Sequence, residues 1–172
     1  MATRADQANI LQGTRSDREF STGNTLPLIS APRGMTNWCP QTEDQHADWF
    51  FHPDRRRFFG VRATHQPSPW MGDYGHFTIL PQTGPLEASG NLASCSFRDP
   101  EYFPYSFRCF LPRYGTTLEL TATERCCYLR LTFPAKTPRR IWIRFFSDRS
   151  YLQSDASSDC VRFGTAANSG GV

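Results

Sequence analysis

The residue types best suited to chemistry lie together in the run GVRATHQPSPWMGDYG, positions 60–75. Pro67 and Pro69 fix their own φ angles and push Gln66 and Ser68 toward extended conformations, so this loop is stiff. Trp70 follows at once, and Gly72 and Gly75 permit backbone turns that other residues resist. A stiff loop holding a ring beside Arg62, His65 and Asp73 has the make-up of a carbohydrate site. The apolar face of a sugar stacks on an aromatic ring, and its hydroxyls take guanidinium, imidazole and carboxylate partners. The same residues also suit a packed corner, in which Trp70 fills the core and Asp73 caps a turn. Both readings stand at this point.

Other chemistries find less support. Ser68 sits between prolines and not in a G-x-S-x-G turn, which argues against a serine hydrolase. His46, His52, His65 and His76 lack metal-ligand spacing, and each reads as a hydrogen-bonded histidine. Gly13, Gly23 and Gly34 are isolated, so no phosphate-cradling loop is present. Glu43, Asp44 and Asp48 read as solvated loop charges before acidic site residues. The six cysteines include no C-x-x-C pair, and Cys126 and Cys127, as strand neighbours, point to opposite faces. Free, mostly buried thiols are the expectation.

The elements that must hold the loop are strands. The chain has 172 residues, 14% aromatic, with 13 Pro and 12 Gly spread along its length, a pattern of many short strands and turns. No apolar run approaches the 18 residues of a membrane helix. The start lacks the basic-then-apolar pattern of a secretory signal, which tips the expected compartment toward the cytoplasm. The net charge of +3 is too small to imply a polyanion partner, although residues 125–149 hold seven basic groups against one acid, Asp148. Such a stretch is most simply a solvated strand face. Strand patterns recur over 106–110, 116–123, 127–133, 140–146 and 160–164. Cys127, Leu129, Leu131 and Phe133 alternate with Tyr128, Arg130 and Thr132, and Ile141, Ile143 and Phe145 alternate with Trp142, Arg144 and Phe146. Period two assigns the first set of each strand to the core. The short loop 134–138 predicts that these two strands form a hairpin, and Pro112–Gly115 predicts another. The opposite face of the first hairpin combines Tyr128, Trp142, Phe146, Arg130 and Arg144, and so many aromatics call for a cover: a second sheet, another domain or a ligand. The whole reads as an all-β antiparallel β-sandwich over residues 23–172, preceded by an extended polar segment at 1–22.

The run GVRATHQPSPWMGDYGHFTILPQTG resembles the N-terminal domain of glycoside hydrolase family 92, the inverting α-mannosidases. ILQGTRSDREFSTGNTLPL near the start, WCPQT at 38–42, LELTATERCCYLRLTFP at 118–134 and NSGG near the end agree with it in order. The resemblance implies a β-sandwich that precedes a larger (α/α)6 barrel, with the active site between the two. On that implication the barrel supplies both catalytic carboxylates and the calcium ligands, so this chain carries no catalytic and no metal residue. The sandwich lends substrate contacts, which map here to Arg62, His65, Trp70 and Asp73. The implied partners are a mannose-containing glycan and the barrel, expected to be missing after Val172, with no nucleic acid and no membrane. Relatives are often secreted or periplasmic, against the compartment inferred above. An inverting enzyme needs its acid and base roughly 6.5–9.5 Å apart. Two further readings come from other classes: a stand-alone carbohydrate-binding module using the Trp70 loop, and single-stranded nucleic-acid binding by the Arg130, Arg144, Tyr128 and Trp142 face.

Overall fold

Alternating residues build the chain into two antiparallel sheets. The computed structural model describes residues 3–17, 19–44, 49–65, 68–70, 77–146, 150–154, 157 and 159–165. In chain order the strands are β1 (Asn37–Gln41), β2 (Arg57–Phe58), β3 (Gly60–Thr64), β4 (Phe77–Thr83), β5 (Cys95–Ser96), β6 (Arg98–Phe103), β7 (Ser106–Leu111), β8 (Thr116–Ala122), β9 (Cys127–Thr132), β10 (Arg139–Phe145), β11 (Ser150–Ser154) and β12 (Val161–Thr165). Among the described residues, one four-stranded sheet runs β1-β3-β4-β10 and the other runs β6-β7-β8-β9. Two short ribbons, β2-β5 and β11-β12, complete the set. The family of folds is the antiparallel sandwich that the patterning predicts.

The second sheet follows its sequence closely. Leu118 stands opposite Cys109 on one side and Leu131 on the other, and Leu120 stands opposite Phe107 and Leu129. Phe107, Cys109, Leu111, Leu118 and Leu120 are buried, and they share one core with Val61 and Ala63 of the first sheet. Each fully buried large side chain contributes about 1.5–3 kcal/mol. The turn after β7 closes through Gly115 N–H to Pro112 O at 3.2 Å, with Gly115 at φ +56°. That predicted hairpin is present.

The other predicted hairpin is not. β9 pairs with β8, whereas β10 pairs with β4 across seven register positions from Arg139–Thr83 to Phe145–Phe77. The 133–138 loop therefore crosses from one sheet to the other. Alternation defines which side of a strand is apolar, but it does not choose the neighbouring strand, and a six-residue loop can turn back or cross. The face assigned to β10 also needs revision. Trp142, placed away from the core by period, packs against the core cluster, whereas Ile141, placed inside, is 57% exposed. β10 is an edge strand, and both of its faces receive partial cover. Phe145 packs on Phe77 at 6.3 Å and on Phe163 of β12 at 5.6 Å. On the other face Arg144 pairs with Asp44, and Phe146 lies over the Arg62 guanidinium. The aromatic-and-arginine face read from sequence is thus two surfaces, and most of what belongs to β10 is covered by the chain itself. Tyr128 and Arg130 therefore lie on one sheet and Trp142 and Arg144 on the other, not side by side as a single face.

Near the start, a 3-10 turn spans Ala5–Gln7 and the following residues fold back on 21–25. Ser16 is buried, and its hydroxyl accepts the Thr22 and Asn24 N–H groups at 2.8 and 3.1 Å. Thr25 N–H reaches Gly13 O at 3.1 Å. Gly13 and Gly23 both have positive φ and approach so closely that a Cβ on Gly23 would lie 2.9 Å from Gly13 Cα. These bonds hold residues 13–25 as a closed loop beside the first sheet's edge and position Asp17.

Candidate functional site

Strand β3 delivers the predicted site residues, but it gives them different surroundings. Val61 and Ala63 enter the core between the sheets, so Arg62 between them turns to the opposite face. There Arg62 is fully buried, its guanidinium 4.1 Å from the Phe50 ring centroid and 4.9 Å from that of Phe146. Stacked between two rings, it is a packed part of the interior. His65 follows the end of β3 and is exposed. Trp70 is 63% exposed, which removes the packed-corner reading for its ring. It stands edge-on to Trp49, with centroids 5.4 Å apart at 86°. Asp73 lies outside the described residues.

Trp49 links Trp70 to a cleft of about 460 Å³. Ser16, Asp17, Glu19, Glu43, Trp49, Phe51, His52 and Arg55 line it. Three pieces of chain meet here: the loop closed by Ser16, the segment after β1, and the aromatic run Trp49-Phe50-Phe51 with the residues after it. Phe50 and Phe51 are buried with Leu26 and Cys39, which anchors the run. Thr42 fixes its exit, since Thr42 Oγ1 donates to His52 O at 3.0 Å and accepts His52 N–H at 2.8 Å. Arg55 Nε reaches Glu43 Oε1 at 2.5 Å across the cleft wall.

The cleft carries charges of both signs. Asp17 accepts the N–H groups of Glu19 at 2.9 Å and Phe20 at 2.7 Å. These bonds, with a smaller contribution from His52, hold its carboxyl below the usual aspartate range. Asp17 is therefore ionised at neutral pH: suited to accept a sugar hydroxyl, and unsuited to donate a proton as a general acid. His52 Nδ1 lies 4.0 Å from Asp54, which also pairs with Arg15 at 2.7 Å. Among the described residues no three His, Cys, Asp or Glu side chains converge as a metal site.

An aromatic ring, an ionised carboxylate, an imidazole and an Arg–Glu pair surround an open cleft, a set whose chemistry suits stacking and hydroxyl hydrogen bonds. The sequence compares directly with one family of sugar-cleaving enzymes, since residues 8–166 match the model of the glycosyl hydrolase family 92 N-terminal domain. The chain belongs to glycosyl hydrolase family 92. A solved family 92 inverting mannosidase from Bacteroides thetaiotaomicron is 31% identical and superposes on 99% of this chain with a TM-score of 0.88. A family 92 α-mannosidase from the same bacterium is 20% identical over 76% of the chain, TM-score 0.63. Another family 92 glycosyl hydrolase is 16% identical over 88%, TM-score 0.68. These last two share the fold. The chain spans 24%, 18% and 22% of the three relatives' lengths. Among curated proteins no match is found.

Several residues of this family 92 domain's cleft escape sequence reasoning. Trp49, His52 and Arg55 carry no motif, Asp17 and Glu19 lie in the quoted block at 10–28 without a role read for them, and Glu43 reads as a solvated loop charge. For Trp49, His52 and Arg55 the available signal is the aromatic run beside His52 and the three arginines 55–57. Nothing local indicates that this run meets residues 16–19 and Trp70.

Proposed function

We propose that this chain is the substrate-contacting sandwich of an α-mannosidase that hydrolyses α-mannosidic linkages with inversion. The observation that carries the proposal is the exposed Trp70 ring against Trp49, which itself lines a cleft with carboxylates, His52 and Arg55. Similarity along 99% of the chain to an inverting mannosidase supports the substrate class. On this reading Trp70 and Trp49 receive the apolar face of a mannose unit, and Asp17, Glu19 and His52 take hydroxyls, together with His65 and Asp73 from the loop. Arg62 serves the site indirectly, by pinning Phe50 and so the aromatic run. The catalytic acid and base and the calcium ligands belong to a barrel domain, and the sandwich alone does not turn over substrate. The carbohydrate-binding-module reading shares the same cleft and differs in whether affinity exists without a barrel.

The test is calorimetric titration of the chain with α-mannobiose, alongside an assay for mannose release. The proposal expects no release by the chain alone and binding weaker than millimolar, with mannoside contacts that Trp70→Ala removes from the ligand's saturation-transfer spectrum. Millimolar or tighter binding lost in Trp70→Ala would assign the module instead. Release of mannose by the chain itself, or contacts unchanged in Trp70→Ala, would overturn the proposal.

A further inference from the structure

The second sheet turns its outward face to solvent on the side away from β3. Strand register lays two polar rows across this face. Glu101, Arg108, Glu119 and Arg130 stand directly opposite one another over β6, β7, β8 and β9. Their ion pairs measure 3.1 Å (Arg108–Glu101), 3.9 Å (Arg108–Glu119) and 3.7 Å (Arg130–Glu119). Two residues along each strand, Ser106, Thr121 and Tyr128 form the second row. The rows line a shallow groove of about 650 Å³, and the Tyr128 ring at its side is 73% exposed.

We propose that this groove is a second, non-catalytic binding site for a neutral glycan chain, with Tyr128 as the stacking ring and the Glu–Arg row as its hydroxyl partners. The charges decide the ligand class. Two arginines and two glutamates cancel within the groove's lining, so the groove has no net charge to hold a polyanion. Protein interfaces are depleted of charge at their centres, and covering four charged groups costs desolvation that a cover of apolar residues cannot return. A sugar hydroxyl donates to Glu119 or Glu101 and accepts from Arg108 or Arg130 without breaking the pairs. The pairs also hold the side chains in place before binding, which lowers the ordering cost. Cross-strand pairing explains the row as a stabilising ladder, but it leaves the open ring of Tyr128 and the groove without a role. The site does not depend on the Trp70 cleft.

The test is affinity electrophoresis of the Trp70→Ala chain in native gels cast with soluble yeast α-mannan, galactomannan or mixed-linkage β-glucan. This background removes the exposed Trp70 ring beside the cleft, so that the Tyr128 comparison reports on the groove. The chain should be retarded by at least one polysaccharide. Adding Tyr128→Ala should weaken retardation roughly three- to tenfold, and Tyr128→Trp should preserve it. An exposed ring can be removed without loss of fold, which circular dichroism will confirm. No retardation in any of the three gels, or equal retardation with and without Tyr128, would overturn the proposal. So would a dimer in sedimentation that Tyr128→Ala dissociates, or an oligothymidylate complex lost in that variant.

Discussion

Replacing Arg62 separates a packing role from a ligand role at the residue the motif places nearest the strand. Its guanidinium is stacked 4.1 Å from Phe50 and 4.9 Å from Phe146, with no exposed surface. Desolvated cation–π contacts are worth about 2 kcal/mol each, so Arg62→Ala removes about 4 kcal/mol of stacking. Removing the charge also relieves the cost of burying it, which offsets part of that loss. A net loss of about 2–3 kcal/mol lowers the melting temperature of a domain this size by about 4–12 °C. Arg62→Met keeps the aliphatic stem and a similar volume, so it should lose less than Arg62→Ala. Thermal and urea unfolding of the three chains measures both differences. The variants should also loosen the Trp49–Phe51 run that Phe50 anchors, so mannoside contacts weaken in proportion to stability. The reasoning fails if Arg62→Ala melts within about 2 °C of the parent while its mannoside contacts vanish. That result would make Arg62 an accessible sugar ligand.

Two further expectations follow from local chemistry. The Asp17 carboxyl has a lowered folded value, so the stability its turn contributes is complete above the ordinary aspartate value of ~4 and is lost as pH falls through the lowered value. Melting curves between pH 2 and 6 should show the gap between the parent and Asp17→Asn closing toward acid, and a gap constant over that range would count against the assignment. Cys126 and Cys160 are exposed, Cys39, Cys95 and Cys109 are buried, and burial pushes the Cys95 thiol up to about 12 and that of Cys109 higher still. A disulfide-exchange dye at pH 8 should therefore label Cys126 and Cys160 first and the buried three only on unfolding, and rapid labelling of Cys109 in the folded chain would contradict the packing.

Local pattern determined a good deal of this protein. Period two along 127–132 already separates Leu129 and Leu131 from Tyr128 and Arg130, and the structure keeps that division, because a pleated strand has only two sides. Pro112–Gly115 specified its turn because a short connection leaves its flanking strands one partner. The proline-containing loop left Trp70 either open or packed, and the structure leaves it 63% exposed, while residues 66–67 and 71–76 of that loop lie outside the described residues. Tertiary structure alone decided the rest. β9 and β10 part to different sheets, since alternation carries no information about which strand lies alongside. Arg62, charged and next to the motif, is buried, because two rings from positions 50 and 146 close over it from outside its own segment. The cleft joins Ser16, Asp17, Glu19, Glu43 and residues of the 49–55 segment, and through Trp49 it meets Trp70, by contacts between segments far apart in the chain. Such a meeting is set by the net balance of packing over the whole domain, and no single stretch of sequence records it.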